Sequence, residues 1–385
     1  MFSDRQIKAF RSYRTPFYFY DIELLGRTIE SVKDFGVSKG YHIHFALKAN
    51  NNTRILEFLR DAGFGADCVS GKEIEKAIET GFEPGKIAFA GVGKTDEEIE
   101  TGLRHDIFSF NCESVQEIEV LNELAGRHNT NARIALRLNP NVQANTHKYI
   151  TTGLHENKFG IPADDIPVLF DLLPSLNNVT VTGLHFHIGS QILDLDTFRN
   201  LSERVNELQN NFEENGIILG HINVGGGLGI DYGSPDKNPI PDFETYFGLF
   251  QKILHLRKDQ ELHFELGRSV VGQAGNLVSK VLFTKTGKTT NFAILDAGMT
   301  ELIRPALYQA QHHVDVLTSQ KPLKKYDVVG PICETSDTFR NGVLLPEVVR
   351  GDLVAIRSCG AYGQVMSSDY NLRERAATLY SDEIE

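Results

Sequence analysis

Short apolar runs alternate with helical segments between residues 42 and 268 of this chain. Each run ends in small or polar residues, which is typical of a strand that leads into a turn. Eight runs have this form: HIHFALKA, FGADCVS, KIAFAG, DIFSFN, ARIALRLN, VTGLHFHIG, HINVGGG and LHFELG. Between two of them, residues 197–212 carry apolar side chains at spacings of three and four, the pattern of an amphipathic helix: Phe198, Leu201, Val205, Leu208 and Phe212.

Alternation of strands and helices predicts βαβ units and a parallel sheet. Eight such units of roughly 28 residues each match the size of a closed barrel of the TIM type. A doubly wound open sheet is the alternative, but it usually has fewer strands, and no GxGxxG motif opens a helix after the first strand. We therefore predict an α/β fold with an eight-stranded parallel (β/α)8 barrel over residues 25–268.

The pattern changes after residue 268. Strand-like runs follow one another without long amphipathic helices between them: GNLVSKVLFTKTG, TNFAILDAG, HHVDVLTS, KKYDVVG and GDLVAIRSCGAYG. Gly, Pro, Asn and Lys separate these runs, as is typical of all-β folds. We predict a C-terminal all-β domain over residues 269–385, joined by residues 1–24.

Side-chain alternation along three barrel strands singles out Lys48, His187 and Glu265. In each strand one face is apolar, and these three residues belong to the opposite face. Each also lies near the C-terminal end of its strand, the rim where barrels of this type build their active sites. A lysine at the end of an apolar run is most often a surface residue, His187 alone suggests a core histidine, and Glu265 alone suggests half of an ion pair. Their shared position predicts a convergent site instead.

Composition narrows the possible partners. The 385 residues are 41% hydrophobic and 23% charged, as in ordinary soluble proteins, and 39 basic against 51 acidic residues give a net charge of −12. This balance argues against nucleic-acid and anionic-membrane surfaces and favours small-molecule partners. The N-terminus has no apolar leader, and no run is long enough to span a membrane. We expect a cytoplasmic protein.

The cysteines Cys68, Cys112, Cys333 and Cys359 show no CxxC spacing. They therefore fit a reducing compartment and no structural zinc site, and we predict no metal ligands. Cys68, Cys112 and Cys359 are interpreted as packing residues. A buried and inert thiol is also the default interpretation of Cys333.

The glycine run in NVGGG adds a possible anion site to the lysine, histidine and glutamate. Consecutive glycines after a strand let backbone N–H groups approach a phosphate, although glycines also make tight turns. A covalent lysine, a carboxylate for a pyridinium nitrogen and a phosphate cradle are together what pyridoxal 5′-phosphate (PLP) requires. His187 would then stack on the face of the PLP ring.

Nine segments resemble, in order along nearly the whole chain, the barrel-type PLP-dependent amino-acid decarboxylases, and within them most closely the diaminopimelate decarboxylases. They are FALKAN, DCVSGKE, THKYITTGLHENKFGI, GLHFHIGSQI, NVGGGLGIDY, ELGRS, DAGMTELIRPALY, GPICETSD and GAYG. The resemblance implies PLP as cofactor and decarboxylation of meso-2,6-diaminopimelate to L-lysine and carbon dioxide. It also implies a homodimer with shared active sites.

The same resemblance assigns cofactor-binding roles within the barrel. Lys48 is the covalent partner of PLP, His187 stacks on its ring, and Glu265 faces its pyridine nitrogen. The remaining cofactor-binding positions are Asp67, Ser190, Gly227, Gly267 and Arg268. Leu266 stands where the family has proline, while Glu265, Gly267 and Arg268 keep the family motif.

In the second domain the resemblance makes Cys333 the catalytic proton donor, on a loop that crosses to the partner subunit. Tyr362 contacts both cofactor and substrate. The implied substrate-binding positions are Arg268, Arg304, Tyr308 and Glu334. Such residues suit diaminopimelate because its second amino-acid end offers a carboxylate to cations and an ammonium group to an anion.

Three other functions remain open at this stage. Related decarboxylases act on ornithine, arginine or carboxynorspermidine. A racemase on the same barrel would place an arginine at the ring nitrogen, where this chain has Glu265. A non-catalytic PLP carrier would lack the C-terminal residues 269–385. Lys158 fits a solvated loop as well as it fits an active-site lid.

Overall fold

The computed structural model describes residues 2–142 and 158–384. The chain forms two compact units, each described separately below. The barrel unit comprises residues 29–229 and 242–267, and the sheet unit comprises 1–28, 230–241 and 268–385.

The strands are β1 (Phe17–Tyr20), β2 (His42–Ala46), β3 (Gly65–Cys68), β4 (Ile87–Phe89), β5 (Ser109–Cys112), β6 (Ala132–Arg137), β7 (Val179–His185), β8 (His221–Asn223), β9 (Glu261–Leu266), β10 (Gly275–Thr286), β11 (Asn291–Leu295), β12 (Val314–Val316), β13 (Leu323–Val329), β14 (Thr338–Pro346), β15 (Leu353–Ile356) and β16 (Ala377–Tyr380). The α-helices are α1 (Asp4–Phe10), α2 (Ile22–Phe35), α3 (Thr53–Asp61), α4 (Gly71–Thr80), α5 (Asp96–Arg104), α6 (Val115–Arg127), α7 (Ile166–Leu172), α8 (Asp196–Glu214), α9 (Phe243–Ile253), α10 (Arg268–Val271) and α11 (Arg304–Tyr308).

Strands β2 to β9 form a closed barrel in which neighbouring strands are parallel. Each corresponds to one of the eight runs recognised in the sequence, so the predicted (β/α)8 barrel is confirmed. The barrel closes between β2 and β9, where His42 lies opposite His263 and His44 opposite Glu265. Helix α8 buries the predicted apolar stripe, including Phe198, and so packs as expected.

Of the three convergent residues Lys48, His187 and Glu265, two lie just beyond their strands. Strand β2 ends at Ala46, so Lys48 belongs to a 3₁₀ turn over Leu47–Ala49. Strand β7 ends at His185, two residues before His187. Glu265 lies within β9, and Leu266 closes that strand opposite Phe45 with its side chain buried. Leucine therefore fits where the family has proline, because a strand position accepts a residue with a free N–H group.

The sheet unit contains one eight-stranded mixed sheet, which confirms the predicted β-rich part of the fold. Six strands run in the order β12-β15-β10-β11-β13-β14, and β1 pairs with both β10 and β16. Strand β1 joins the sheet from the N-terminus, and its Phe17 and Phe19 pack with Phe10 and Val278 in a buried cluster. Strands β1, β14 and β16 are absent from the sequence prediction.

Residues 230–241, which the sequence prediction assigned to the barrel domain, are part of the sheet unit by their contacts. Asp236 forms an ion pair with Arg357 at 2.7 Å, and Gln273 donates to the carbonyl of Asn238 at 2.6 Å. The predicted domain limits, 25–268 and 269–385 with 1–24, stay a prediction. No helix in the described ranges is both long and apolar enough to cross a membrane.

Candidate active site

A cavity of about 420 Å³ opens at the C-terminal ends of the barrel strands. Lys48, His187 and Glu265 all line it, so the structure brings the three predicted residues to one place. Residues 90–94 after β4, together with Arg137 and Phe159, complete most of its wall. The convergence follows from the parallel barrel, which carries the C-terminal ends of all its strands to one rim.

Asp67 of β3 holds the ammonium group of Lys48. Its carboxylate accepts a hydrogen bond from Lys48 Nζ at 2.7 Å, and the carboxylate is fully buried while the lysine side chain is 34% exposed. Burial and the nearby charge of Glu265 raise the pKa of Asp67, against the opposing effect of Lys48. Its other oxygen has no hydrogen-bond partner among the described residues. The lysine is thus held in the cavity beside a carboxyl group that readily takes a proton.

Glu265 is a buried carboxylate held by three side-chain donors. It accepts hydrogen bonds from the side-chain amides of Asn111 at 3.1 Å and Asn223 at 2.8 Å, and from the His185 ring at 3.0 Å. Burial alone would raise the pKa of Glu265, but His185 and the Lys48 ammonium outweigh it and the net pKa is lowered. The cavity therefore contains a fixed negative charge.

His187 is a neutral ring beside that charge. Burial, followed by the positive charges of Arg137 and Lys48, lowers the pKa of His187 to about 3. Its Nδ1 accepts a hydrogen bond from the backbone N–H of Gly226 at 3.4 Å, so the glycine run orients the ring. A neutral, oriented imidazole suits stacking on an aromatic ligand.

Both backbone conformation and close packing require glycine in this run. Gly225 and Gly227 adopt φ angles of 68° and 108°, which residues with a side chain rarely adopt. A Cβ at Gly226 would collide with the carbonyl oxygen of Glu265. Gly227 accepts from the N–H of Ile192, which places the run beside the loop that carries Ser190. The predicted cofactor-binding positions Ser190 and Gly227 thus belong to neighbouring loops.

The sheet unit brings three further predicted residues together. The guanidinium of Arg268 donates to the Tyr232 hydroxyl and lies 4.8 Å from the Tyr362 ring centre. The guanidinium of Arg304 lies 4.8 Å from the Tyr232 ring and 2.8 Å from the His312 ring nitrogen. Tyr232, which the sequence analysis did not single out, therefore links the two predicted cations.

The other predicted site residues of this unit are Cys333, Glu334 and Tyr308. Cys333 and Glu334 are exposed, and Glu334 accepts a hydrogen bond from Tyr370 at 3.0 Å. Tyr308 ends helix α11 and is half-buried. Cys68, Cys112 and Cys359 are buried, as predicted for packing residues. Most of the THKYITTGLHENKFGI segment lies outside the described residues, whereas Lys158 is exposed above the Phe159 ring.

Comparison with known proteins decides the family. Residues 25–272 match the family model described as pyridoxal-dependent decarboxylase, pyridoxal binding domain. The chain belongs to this family. Among curated relatives, diaminopimelate decarboxylase of Bacteroides thetaiotaomicron is 54% identical over 98% of both chains. That of Aquifex aeolicus is 40% identical over 96% of this chain and 87% of the relative. The resemblance identified from the nine segments is confirmed.

Solved structures of the family agree with this assignment. Diaminopimelate decarboxylase from Helicobacter pylori, complexed with L-lysine, has a TM-score of 0.91 and 38% identity, covering 98% of this chain and 94% of that chain. A lysine/ornithine decarboxylase from Vibrio vulnificus, complexed with putrescine, has a TM-score of 0.86 at 20% identity over the full length of both chains. The second protein shares the fold.

The residues of the barrel cavity fit the cofactor of this family. PLP needs a lysine, an anion for its ring nitrogen and donors for its phosphate. Lys48 and the ionised Glu265 line one cavity. Gly227 accepts from the N–H of Ile192, which places it beside the loop whose Ser190 hydroxyl can donate to a phosphate. The unpartnered oxygen of Asp67 is a further acceptor beside the lysine.

Sequence reasoning missed four polar side chains that build this cavity. Asn111, His185 and Asn223 hold Glu265, and Arg137 pairs with Glu113 at 2.6 Å while lining the wall. Each interrupts an otherwise apolar strand run, which was the available signal. A buried polar side chain requires a partner, so such interruptions predict a polar network inside a barrel.

Proposed function

We propose that this protein decarboxylates meso-2,6-diaminopimelate to L-lysine and carbon dioxide, with PLP as cofactor. The observation that carries the proposal is the ionised, buried Glu265 in one cavity with Lys48. Curated relatives at 38–54% identity, named diaminopimelate decarboxylases, support the choice of substrate.

In this proposal Lys48 holds PLP covalently, and Asp67 takes the proton that the lysine amine must lose before it bonds. The raised pKa of Asp67, caused first by burial, supports that role. His187 lies against the ring, and Ser190 and Gly227 bind the phosphate. When bound, PLP supplies an electron-accepting ring that stabilises negative charge on the substrate α-carbon.

Glu265 keeps the ring nitrogen protonated. Three donors hold its carboxylate in place, and its lowered pKa, against the effect of burial, means that it stays charged at neutral pH. A fixed anion next to a nitrogen favours the protonated form of that nitrogen. An arginine at this position would have the opposite effect, so Glu265 argues against a racemase.

We propose that Arg268, Arg304, Tyr308, Glu334 and Tyr362 bind the substrate, and that Gly267, Arg268 and Tyr362 also contribute to cofactor binding. Arg304 is buried and has no carboxylate partner among the described residues, although it contacts His312 and Tyr232. A buried cation without an anion is costly, and the distal carboxylate of diaminopimelate would supply the missing charge.

We further propose a cytoplasmic homodimer in which Cys333 is the proton donor of the partner's site. The exposed position of Cys333 and Glu334 supports this, because a loop that crosses an interface must first be accessible in its own chain. The net charge of −12 supports small-molecule partners rather than nucleic acid.

The substrate is tested by measuring carbon dioxide released from meso-diaminopimelate, ornithine and arginine, with alanine racemisation followed in parallel. Diaminopimelate should be the preferred substrate and L-lysine its product. Faster turnover of ornithine or arginine, or racemisation of alanine without release of carbon dioxide, would assign the protein to another branch of the family.

The variant Arg304→Met tests whether this one residue binds the substrate. The variant keeps the length of the side chain but loses the charge, so kcat/KM for diaminopimelate should fall roughly 10- to 100-fold while PLP content is unchanged. Arg350→Met is the matched control. Like Arg304, Arg350 lies over an aromatic ring, but it is exposed and donates to a backbone carbonyl. Equal losses in the two variants would remove Arg304 from the substrate site.

Glu265→Gln should keep the cofactor but lose on the order of 10²- to 10³-fold in rate, because the charge disappears while the shape remains. The glutamine oxygen can still accept from Asn111 and Asn223. Its amide can donate to His185, whose Nδ1 has no partner among the described residues and is free to carry the ring proton. Stopped assays with PLP content measured by absorbance separate the two effects, and unchanged turnover would make Glu265 purely structural.

A further inference from the structure

A second polar cluster lies at the opposite, N-terminal end of the barrel strands. It contains His42 at the start of β2, Glu261 at the start of β9, and His263, which pairs with His42 across the barrel seam. The cluster is remote from the cavity along these strands, since Lys48 and Glu265 mark their other ends. The proposed decarboxylation uses none of its side chains.

The three side chains present their polar atoms to one another. Oε2 of Glu261 lies 3.1 Å from Nε2 of His263, and Oε1 of the same carboxylate lies 3.6 Å from Nε2 of His42. One nitrogen or oxygen atom from each of the three residues lies within 4.8 Å of the others. In the described ranges, this is the one group of three or more His, Cys, Asp or Glu side chains that is compact enough to hold a metal ion.

A chain of hydrogen bonds determines which nitrogen of His263 carries the proton. The carbonyl of Lys86 can only accept, so His44 donates to it from Nδ1 at 3.1 Å. His44 Nε2 then accepts from His263 Nδ1 at 2.8 Å. A neutral His263 ring that carries its proton on Nδ1 turns the lone pair of Nε2 towards Glu261, 3.1 Å away.

Two acceptors then face each other at 3.1 Å, an arrangement that a cation between them would stabilise. We propose that His42, Glu261 and His263 bind a divalent transition-metal ion, with Zn²⁺ the best match to two imidazoles and a carboxylate. Ligands at about 2.1 Å from tetrahedral zinc lie ~3.4 Å apart, close to the 3.1 Å between Glu261 Oε2 and His263 Nε2. His42 stacks on His263 with ring centres 4.5 Å apart, so a turn of the half-exposed His42 ring directs its Nε2 to the same ion, and water completes the site.

The position of the site indicates a structural role. Strands β2 and β9 are the first and last strands of the barrel, and the ion would join them where the barrel closes. His44 would orient His263 from behind, as outer partners of metal-bound histidines do. The sequence prediction of no metal ligands considered cysteine spacing and did not bring His42, Glu261 and His263 together.

The test uses untagged, PLP-loaded protein, treated with chelator, freed of unbound PLP and titrated with Zn²⁺ alone. The intact protein should retain one equivalent of Zn²⁺ more than His42→Ala or Glu261→Gln. Zn²⁺ should bind at least about tenfold more weakly to each variant. At zinc concentrations ~100 times Kd, thermal unfolding of the intact protein should shift upwards by roughly 3 °C and that of the variants should not. PLP content and decarboxylation rate should stay unchanged in both variants.

His128→Ala is the matched control, because His128 is similarly exposed and lies 3.3 Å from a single carboxylate, that of Glu100. It should bind as much zinc as the intact protein. Anomalous diffraction at the zinc edge should place the ion between β2 and β9. No retained zinc, equal zinc in His42→Ala and the intact protein, or an anomalous peak elsewhere would each overturn the proposal and leave the cluster as a histidine–carboxylate ion pair.

Discussion

Lys48→Ala should reduce decarboxylation to background, a loss of roughly 10⁴-fold or more, because the residue proposed to bind the cofactor covalently is removed. The unmodified protein should be yellow, and borohydride should fix the mass of the cofactor to the peptide that contains Lys48. Absorbance, peptide mass and turnover measure the three expectations independently.

A second lysine makes this labelling experiment discriminating. Lys94 also lines the cavity, but its ammonium donates to the carbonyls of Gly91 and Asn111 at 2.9 Å each and to Glu117 at 2.5 Å. All three of its protons are thus engaged, and its amine has no lone pair available for a covalent bond. Label on the Lys94 peptide, or a colourless protein that takes up no PLP, would contradict the proposed role of Lys48.

The barrel could be predicted because its strands are short, apolar and separated by helices of clear periodicity. Most residues of the barrel strands are buried, so apolar residues dominate their sequences, and the helix between two runs shows its own stripe. Strand β1 has the same apolar character, but its partner strand β10 lies about 260 positions away in the sequence. No local sequence pattern predicts that pairing. Strand β14 is interrupted by Arg340, Asn341 and Gly342, which resemble a loop.

The candidate site was predictable where an ionisable side chain stands out from its apolar surroundings in the sequence. Lys48, His187 and Glu265 are unusual at the ends of apolar runs, and strand ends meet at one rim of a barrel. The partners of Glu265 were not predicted, because Asn111 and Asn223 become informative only when the closed barrel brings them to within hydrogen-bond distance of one carboxylate. Side-chain alternation puts His42 on the same face of its strand as Lys48, and His263 on the same face as Glu265, but only the closed barrel makes the two histidines neighbours.

Histidines have different surroundings at the two ends of the barrel. At the C-terminal rim, His187 is kept neutral beside the cavity, where an uncharged ring suits an aromatic ligand. At the N-terminal end, His44 and His263 are kept neutral by burial within a chain of hydrogen bonds that ends at a carboxylate. Low pKa values alone do not distinguish a cofactor-binding ring from a metal ligand; the groups that face each ring nitrogen do.

Mixing two inactive variants should restore activity if the active site is shared between subunits. Cys333→Ala removes the proposed proton donor, a loss of roughly 10²- to 10⁴-fold, and Lys48→Ala removes the covalent partner of the cofactor. In a heterodimer with crossed sites, one site carries both substitutions and the other carries neither. Random exchange in a two-fold symmetric dimer should therefore recover about one quarter of the unmodified activity.

The recovery has to depend on subunit exchange and on both positions. Native mass spectrometry of the mixture should show dimers of mixed mass, and activity should rise at the rate at which they form. Mixing Lys48→Ala with Glu265→Gln serves as the control. Each active site takes both Lys48 and Glu265 from one and the same barrel, so every site in a mixed dimer still carries one of the two substitutions and no activity should return. If Cys333 acted within its own chain, every site in the first mixture would still carry one substitution. Mixed dimers without recovered activity would then reject the shared site while leaving the proposed role of Lys48 intact.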